Sequence, residues 1–585
     1  YALIAGSLWE DHDLNYDHRD LQRAYQIWDQ GPYGLILFTQ DGGETMYFGK
    51  PFVYSAVALP FYALFGPQGL VVLNMALYLA MFFTAAWLLG RRPAVPDVAV
   101  PGEVGGEGRW PWQRGPATLP ARRAGPTGGT GYAGLFLAGF FFASASLVYV
   151  FWMQPEVFNM ACVFFPLAIW SALRGRREWG LWAYALLALA GLMLAAAFVS
   201  KEPLAVMALP LGVDLVWSRR FKGLAVVVLA GLVGVGLLMG IQYKLSDAWS
   251  PYRDVQRRSF ETVYPLETEQ DLWQLYKGTS FGSWSGVEVS TTPRVFARNL
   301  GYFVFGRHTG LLPYFPFALF ALALFALGPR DRLGWLVLAA VAIYVLFFLL
   351  LRPGNYHGGA GFIGNRYFAG VYPALLFLLT RFDAKKSLLL PFAAAGLFTL
   401  SVVAVPVQQI APSATIQAHV RSATFQRLLP LELTLLPHGR IPGYWMRNWG
   451  QGTWVLRKDA FLGEENHPNG IWVRGDSRSE VIVVSPVPLE SIYFTAFSPL
   501  VDNVLTIDSG ADRAEVRFDS SASTPVELKV EPVARDLGFL ERSPREHFYR
   551  LTVETTDGWM PARRDPESGD YRYLGTFLSF TGEGP

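Results

Sequence analysis

Apolar residues run almost unbroken over stretches long enough to cross roughly 30 Å of hydrocarbon, at about 20 residues each, and such stretches recur between residues 68 and 408. The pattern predicts ten membrane spans: 68–90, 131–152, 155–173, 179–199, 203–217, 221–243, 309–328, 333–351, 367–380 and 388–408. The fifth and ninth are short and need tilt or flanking residues to cross. From about residue 450 the pattern changes to short alternating runs broken by Gly, Pro, Asn and Asp. The runs 470–474, 481–484, 491–497, 503–507, 514–518, 526–530 and 548–553 read as strands, and their even spacing predicts a β-sandwich outside the membrane. The chain therefore divides into a first outer loop with an acidic motif and a re-entrant or half helix (1–67), a transmembrane bundle (68–408), a linker (409–449) and the sandwich (450–585). Segment 93–130, rich in Pro, Gly and Arg, reads as a disordered cytoplasmic insert. Within the outer loop 244–308, Trp273, Tyr276, Phe281 and Trp284 suggest a piece lying on the membrane surface, with helix anchoring as the plainer alternative.

Sidedness follows from the basic residues of the short loops. Arg91 and Arg92 follow the first span, Arg174, Arg176 and Arg177 the third, Arg219, Arg220 and Lys222 the fifth, Arg330 and Arg332 the seventh, and Arg381, Lys385 and Lys386 the ninth. Every second loop is basic, and those loops are assigned to the cytoplasm. The alternate loops and the tail then lie outside, which in a bacterium means the periplasmic side of the inner membrane and in a eukaryote the lumenal side. An external Tyr1 requires a preceding helix or a cleaved signal, and the start without a methionine or an apolar leader agrees with a helix before it.

Composition narrows the classes further. Only 16% of residues are charged and 52% are hydrophobic, with a mean hydropathy of +0.25, which excludes an ordinary soluble enzyme and a disordered chain. A net charge of +2 gives no field for nucleic acid, and the single Cys162 excludes an intrachain disulfide or a cysteine-built metal site. Asp214 is expected near a cytoplasmic helix end, within reach of water, and Gly236 with Gly240 forms a G-x-x-x-G suited to close helix packing.

Chemistry is expected where ionisable residues crowd the outer face, because they are costly inside the bilayer. The segment Glu10-Asp11-His12-Asp13-Leu14-Asn15-Tyr16-Asp17-His18-Arg19-Asp20 offers carboxylates for a general base, or ligands for Mg²⁺ or Mn²⁺; the alternative is a solvated acidic loop. The outer turns Gln154-Pro155-Glu156 and Ser200-Lys201-Glu202-Pro203 each put a carboxylate at the mouth of a helix pair, and Lys201 adds a cation for a phosphate. Glu156 and Glu202 could equally favour the following helix N-termini. The Gly-rich loop from Arg352 to Arg366 matches G-x-G-x-x-G at Gly359, Gly361 and Gly364, but it joins two membrane spans and follows no strand, so a dinucleotide site is rejected. Arg352, His357 and Arg366 there could still hold a phosphate, or simply anchor a tight turn at the interface.

The residues Ser7-Leu8-Trp9-Glu10-Asp11-His12-Asp13-Leu14, Gly49-Lys50-Pro51-Phe52-Val53-Tyr54-Ser55, Pro60-Phe61-Tyr62-Ala63-Leu64-Phe65-Gly66 and Gly364-Asn365-Arg366-Tyr367-Phe368 together resemble bacterial membrane glycosyltransferases of the GT-C superfamily, over roughly residues 1 to 410. The resemblance implies an inverting hexosyl- or pentosyltransferase acting on the outer face. Its donor would be a polyprenyl-phosphate-linked sugar, and its acceptor a glycan, a lipid or a protein. It implies Asp11 or Asp13 as catalytic carboxylate and Glu156 as the second acidic position, the three serving as ligands if a Mg²⁺ or Mn²⁺ ion takes part. Arg366, His357, Lys50, Lys201 and Glu202 would bind substrate. Glu156 stands in Pro-Glu-Val and not in a paired acidic motif, a departure that bears on metal dependence. A transporter of lipid-linked sugars and a non-catalytic GT-C-like subunit anchoring an outer β-domain are the rival readings. Few mid-helix ionisable residues and no internal duplication speak against transport.

Overall fold

The computed structural model describes residues 1–28, 35–90, 129–252, 255–260, 264–267, 273, 280–281, 291–328, 331–359, 363–379, 386–404, 424–438, 445–450, 453–458, 460–462, 470–519, 521–533, 547–565 and 573–581. Among the described residues five helical segments are long and apolar enough to cross a membrane: Val53–Leu89, Glu156–Leu173, Leu181–Ser200, Phe221–Ser246 and Arg332–Leu351. A sixth crossing is a pair, Ala133–Phe142 and Ala145–Phe151, bent by 54°. Pro316–Leu327 and Leu388–Val403 are apolar but shorter. The two short stretches of the hydrophobic pattern are broken in the structure. Residues 203–217 divide into a 3-10 turn, Glu202–Ala208, and a nine-residue helix, Leu209–Trp217, while 367–380 contains only the one-turn Arg366–Ala369 and the 3-10 segment Tyr372–Leu378. Prolines at the start of these segments remove backbone donors and tighten the local winding. The insert 93–130 falls almost wholly outside the described residues, as do Tyr276 and Trp284.

Glu156–Leu173 is the most enclosed of the five, 78% buried, against 11% for Phe221–Ser246, so the first is the central post and the second a peripheral helix. The peripheral helix packs on Leu181–Ser200 through glycines, but not through the expected pair. A Cβ on Gly191 would come within 2.4 Å of the Val227 carbonyl oxygen, and one on Gly234 within 2.9 Å of Ala195, whereas Gly236 and Gly240 face open space.

One end of the bundle is tied by ions. Arg174 grips Asp331 through both terminal nitrogens at 2.6 and 2.8 Å, Arg332 bonds Asp214 and Ser218, and Trp170 donates to Asp214 at 2.7 Å. Asp214 is thus fully buried and paired, not open to water as its place in the sequence suggested. This knot joins residues from three separate basic loops, so those loops lie at the same end. Glu156 begins the central helix that Arg174 follows, and 18 residues at 1.5 Å each put them about 27 Å apart.

At the Glu156 end a four-stranded antiparallel sheet is assembled from distant segments, in the order Tyr47–Phe48, Leu35–Thr39, Gln256–Phe260, Ser280–Phe281. The C-terminal region holds a five-stranded and a six-stranded antiparallel sheet, with strands beginning at Trp445. Residues of both sheets, among them Ile471, Val473, Val481, Val483, Phe494 and Leu551, meet in one apolar cluster. Strands Gly470–Arg474 and Ser491–Phe497 have the bounds their alternation predicted.

Candidate functional site

Two polar groups lie at the Glu156 end. The first is the acidic segment. The chain winds helically from Ala2 to Asp11, and His12, with φ of +60°, turns it back. Asp17 then caps the helix His18–Ile27, its carboxylate accepting from the amides of Arg19 and Asp20 while Asp20 returns a bond to the Asp17 amide. That helix delivers Arg19 and Arg23 to the carboxylates. Asp11 holds Arg19 with Oδ1 at 3.0 Å and Arg23 with Oδ2 at 2.7 Å, and Arg23 also reaches Glu10 at 3.0 Å and Asp20 at 2.6 Å. Asp13 behaves differently: its Oδ1 accepts from the Ser7 hydroxyl at 3.0 Å and the Asn15 amide at 3.1 Å, while Oδ2 has no partner among the described residues. The acidic loop is therefore an arginine-knotted network with one carboxylate half engaged.

The second group is cationic. Lys50 follows the strand Tyr47–Phe48 and precedes the helix Val53–Phe65. Arg257 lies on the strand Gln256–Phe260, where alternation sends Arg258 to the other face, against the Trp273 ring at 4.4 Å, and Arg257 onto the Tyr252 ring at 4.7 Å. Gly49 makes room for it, since a Cβ there would stand 3.2 Å from Arg257 Nε. Lys201 ends the helix Leu181–Ser200, and its ammonium sits 4.2 Å from the centre of the Tyr367 ring. Arg366 opens the short helix capped by Asn365, whose side chain accepts from the Phe368 amide. Glu156, buried at the first position of the central helix, brings Oε1 to 3.5 Å from Arg366 Nε, while Oε2 has no hydrogen bond. Its carboxylate thus faces the Arg366 guanidinium.

Lys50, Lys201 and Arg366 thus act on Glu156 with Arg257 beside Lys50, and the repulsion among these cations is legible. Burial, then Arg257 and Arg366, hold the Lys50 ammonium well below its ordinary range against the pull of Glu156. Burial and Arg366 bring Lys201 down to about 7. Burial works against the Arg366 charge, but Glu156 and neighbouring tyrosine hydroxyls leave it above its ordinary value. Glu202, half-buried in the next turn, acts on the Tyr252 hydroxyl. His357 is fully buried, and its carbonyl accepts from the Tyr367 amide at 3.3 Å.

The structure therefore brings Lys50, Glu156, Lys201 and Arg366 together, with Glu202 and His357 in adjoining turns. Asp11 and Asp13 belong to the separate acidic group. Among the described residues no three His, Cys, Asp or Glu side chains gather as a metal site. Comparison with protein-family models, curated proteins and solved structures finds no match to this chain. Arg257, which the sequence reading did not single out, completes the cationic group. Its signal was the alternation Gln256-Arg257-Arg258-Ser259-Phe260, too short to read as a strand without its distant partner.

Such an arrangement can hold a phosphorylated head at the membrane surface. In the separate acidic group, a half-engaged carboxylate such as Asp13 can accept a proton from a hydroxyl group.

Proposed function

We propose that this chain is an integral membrane glycosyltransferase. It takes a sugar from a polyprenyl-phosphate-linked donor and passes it to a hydroxyl of a glycan, lipid or protein on the outer face, with the C-terminal sheets as a β-sandwich on that same side. The observation that carries the reading is the gathering of Lys50, Lys201 and Arg366 around the carboxylate Glu156, with Arg257 beside Lys50, at the end of the bundle opposite the ionic knot of the basic loops. Cations so placed would hold the donor phosphate and stabilise the charge it gains on leaving.

Asp13 is the better base of the first-loop pair, because both oxygens of Asp11 are taken by arginines. Ser7, which holds Asp13, belongs to the same continuous helical winding as the chain start at Tyr1. Tyr1 in turn lies within the electrostatic reach of Glu156, Arg366 and Arg257. The acceptor hydroxyl would give its proton to Asp13 as its oxygen bonds the anomeric carbon, inverting that centre.

The test is sugar transfer from a polyprenyl-phosphate donor in nanodiscs. Asp13→Asn should lower turnover by about 10²- to 10⁴-fold with donor affinity kept, and Arg366→Ala should weaken donor binding. Wild-type turnover in both Asp13→Asn and Asp11→Asn would leave the scaffold reading, in which a bundle of this shape only anchors the outer sheets.

A further inference from the structure

The reading above needs a phosphate at the cationic cluster and holds equally for one phosphate or two between lipid and sugar. The charges of the cluster separate these cases. Arg366 faces Glu156. The ammonium groups of Lys50 and Lys201 have no hydrogen bond or ion pair among the described residues; Lys201 rests on the Tyr367 ring at 4.2 Å and the Phe348 ring at 5.9 Å, contacts that leave its charge uncompensated. Both lysine residues are half-buried. Among the described residues Glu156 is the one carboxylate among the main influences on Lys201 and on Lys50. A phosphodiester bridge brings one negative charge and would compensate one lysine. A diphosphate bridge brings two, on adjacent phosphorus atoms.

We propose, on the basis of the glycosyl-transfer reading, that the cluster is built for a head of two negative charges, the diphosphate bridge of a polyprenyl-diphosphate-linked sugar, in preference to a monophosphate bridge. Lys50 and Lys201 are then the residues that set this preference. In the reaction the bond between the anomeric carbon and the sugar-side phosphate oxygen breaks with both electrons staying on that oxygen. The acceptor oxygen bonds to the carbon, and its proton goes to the Asp13 carboxylate. Polyprenyl diphosphate departs with one more negative charge than the bridge carried, toward the same two lysines.

Two synthetic donors alike in lipid and sugar, farnesyl-phosphoryl-glucose and farnesyl-diphosphoryl-glucose, test the assignment by calorimetric titration of the full chain in phosphatidylcholine nanodiscs. The diphosphate compound should bind roughly tenfold more tightly. Lys50→Gln and Lys201→Gln should each bring that ratio below about threefold, while Lys201→Arg, which keeps the charge, should preserve it. Equal affinities in the parent chain overturn the two-charge assignment and leave the phosphate site standing. So does a ratio unchanged in both Gln variants that unfold like the parent. Failure of both donors to bind removes the phosphate reading itself. Inorganic pyrophosphate binding as tightly as the farnesyl compound would overturn the lipid-linked class in favour of a free diphosphate.

Discussion

Gly358 has φ of +103°, and a Cβ at that position would stand 3.1 Å from both Cβ and Nε of Arg366. Gly358→Ala should therefore cost about 1–3 kcal/mol of stability and push Arg366 off Glu156, lowering donor affinity; thermal unfolding and donor titration check the two effects. Lys201 gives a pH signature. Its ordinary value is 10.5 and burial with Arg366 lowers it to about 7, so between those values the unfolded chain binds more protons than the folded one. Its unfavourable contribution is full below about pH 7 and fades as pH rises toward 10.5. Anion binding needs the protonated form, so at pH 8 donor binding should take up a proton. Calorimetry in two buffers of different ionisation heat should show that uptake in the parent chain and a diminished one in Lys201→Gln. Glu156, Lys201 and Arg366 were legible in the sequence because each is a charge interrupting or bounding an apolar run, whereas Lys50 stood out only within the motif Gly49-Lys50-Pro51 of the resemblance. The pairing of Asp11 with Arg19 and Arg23 was not, since it depends on how His12 turns the chain back.

Strand Ser477–Ser485 departs from the alternation expected of a sandwich strand: residues 479 to 485 are all buried. Val481 and Val483 fill the core between the two sheets, while Ile482 and Val484 join the core of the helical bundle with Phe548, Leu435 and Leu436. The strand is covered on both faces, as continuous apolar runs usually are. Val483→Ser should cost roughly 2–4 kcal/mol and loosen the sheets themselves. Ile482→Ser should spare them and expose the preceding connection to protease, so limited proteolysis followed by mass analysis separates the two. The short apolar run 481–484 located this strand, but its second covered face could not be read, because nothing local in 477–485 says that a bundle stands against it. Likewise Leu35–Thr39 and Gln256–Phe260, single short strands in polar loops, become recognisable only as a pair.

Across the whole molecule the bundle and the C-terminal sheets are joined by a buried ion pair. Arg307, 2% exposed, donates through Nη1 to both oxygens of Glu480, at 3.1 and 2.8 Å, and its backbone amide donates to the Pro430 carbonyl. Arg307→Ala should cost about 3 kcal/mol by stranding a buried carboxylate, softened because Arg550 also holds Glu480; a lowered unfolding temperature that Glu480→Gln partly restores would show it. Sidedness is equally testable, because the only cysteine, Cys162, is buried and silent. Cysteines placed at Gly175, where a side chain meets nothing within 4 Å, and at exposed Ser521 should label from opposite sides of the membrane. Labelling of both from one side would overturn the alternation of basic loops.

The pairing of Leu35–Thr39 with Gln256–Phe260 also sets a timetable. More than two hundred residues separate the strands, and at 5–20 residues per second a ribosome needs on the order of 10–40 s to make what lies between them. Throughout that interval the earlier strand waits with one bare edge, and four of the five helices long and apolar enough to cross a bilayer must be laid down first. Arg257 arrives with the second strand. The nascent chain consequently becomes competent to hold an anion only after most of its membrane insertion is complete.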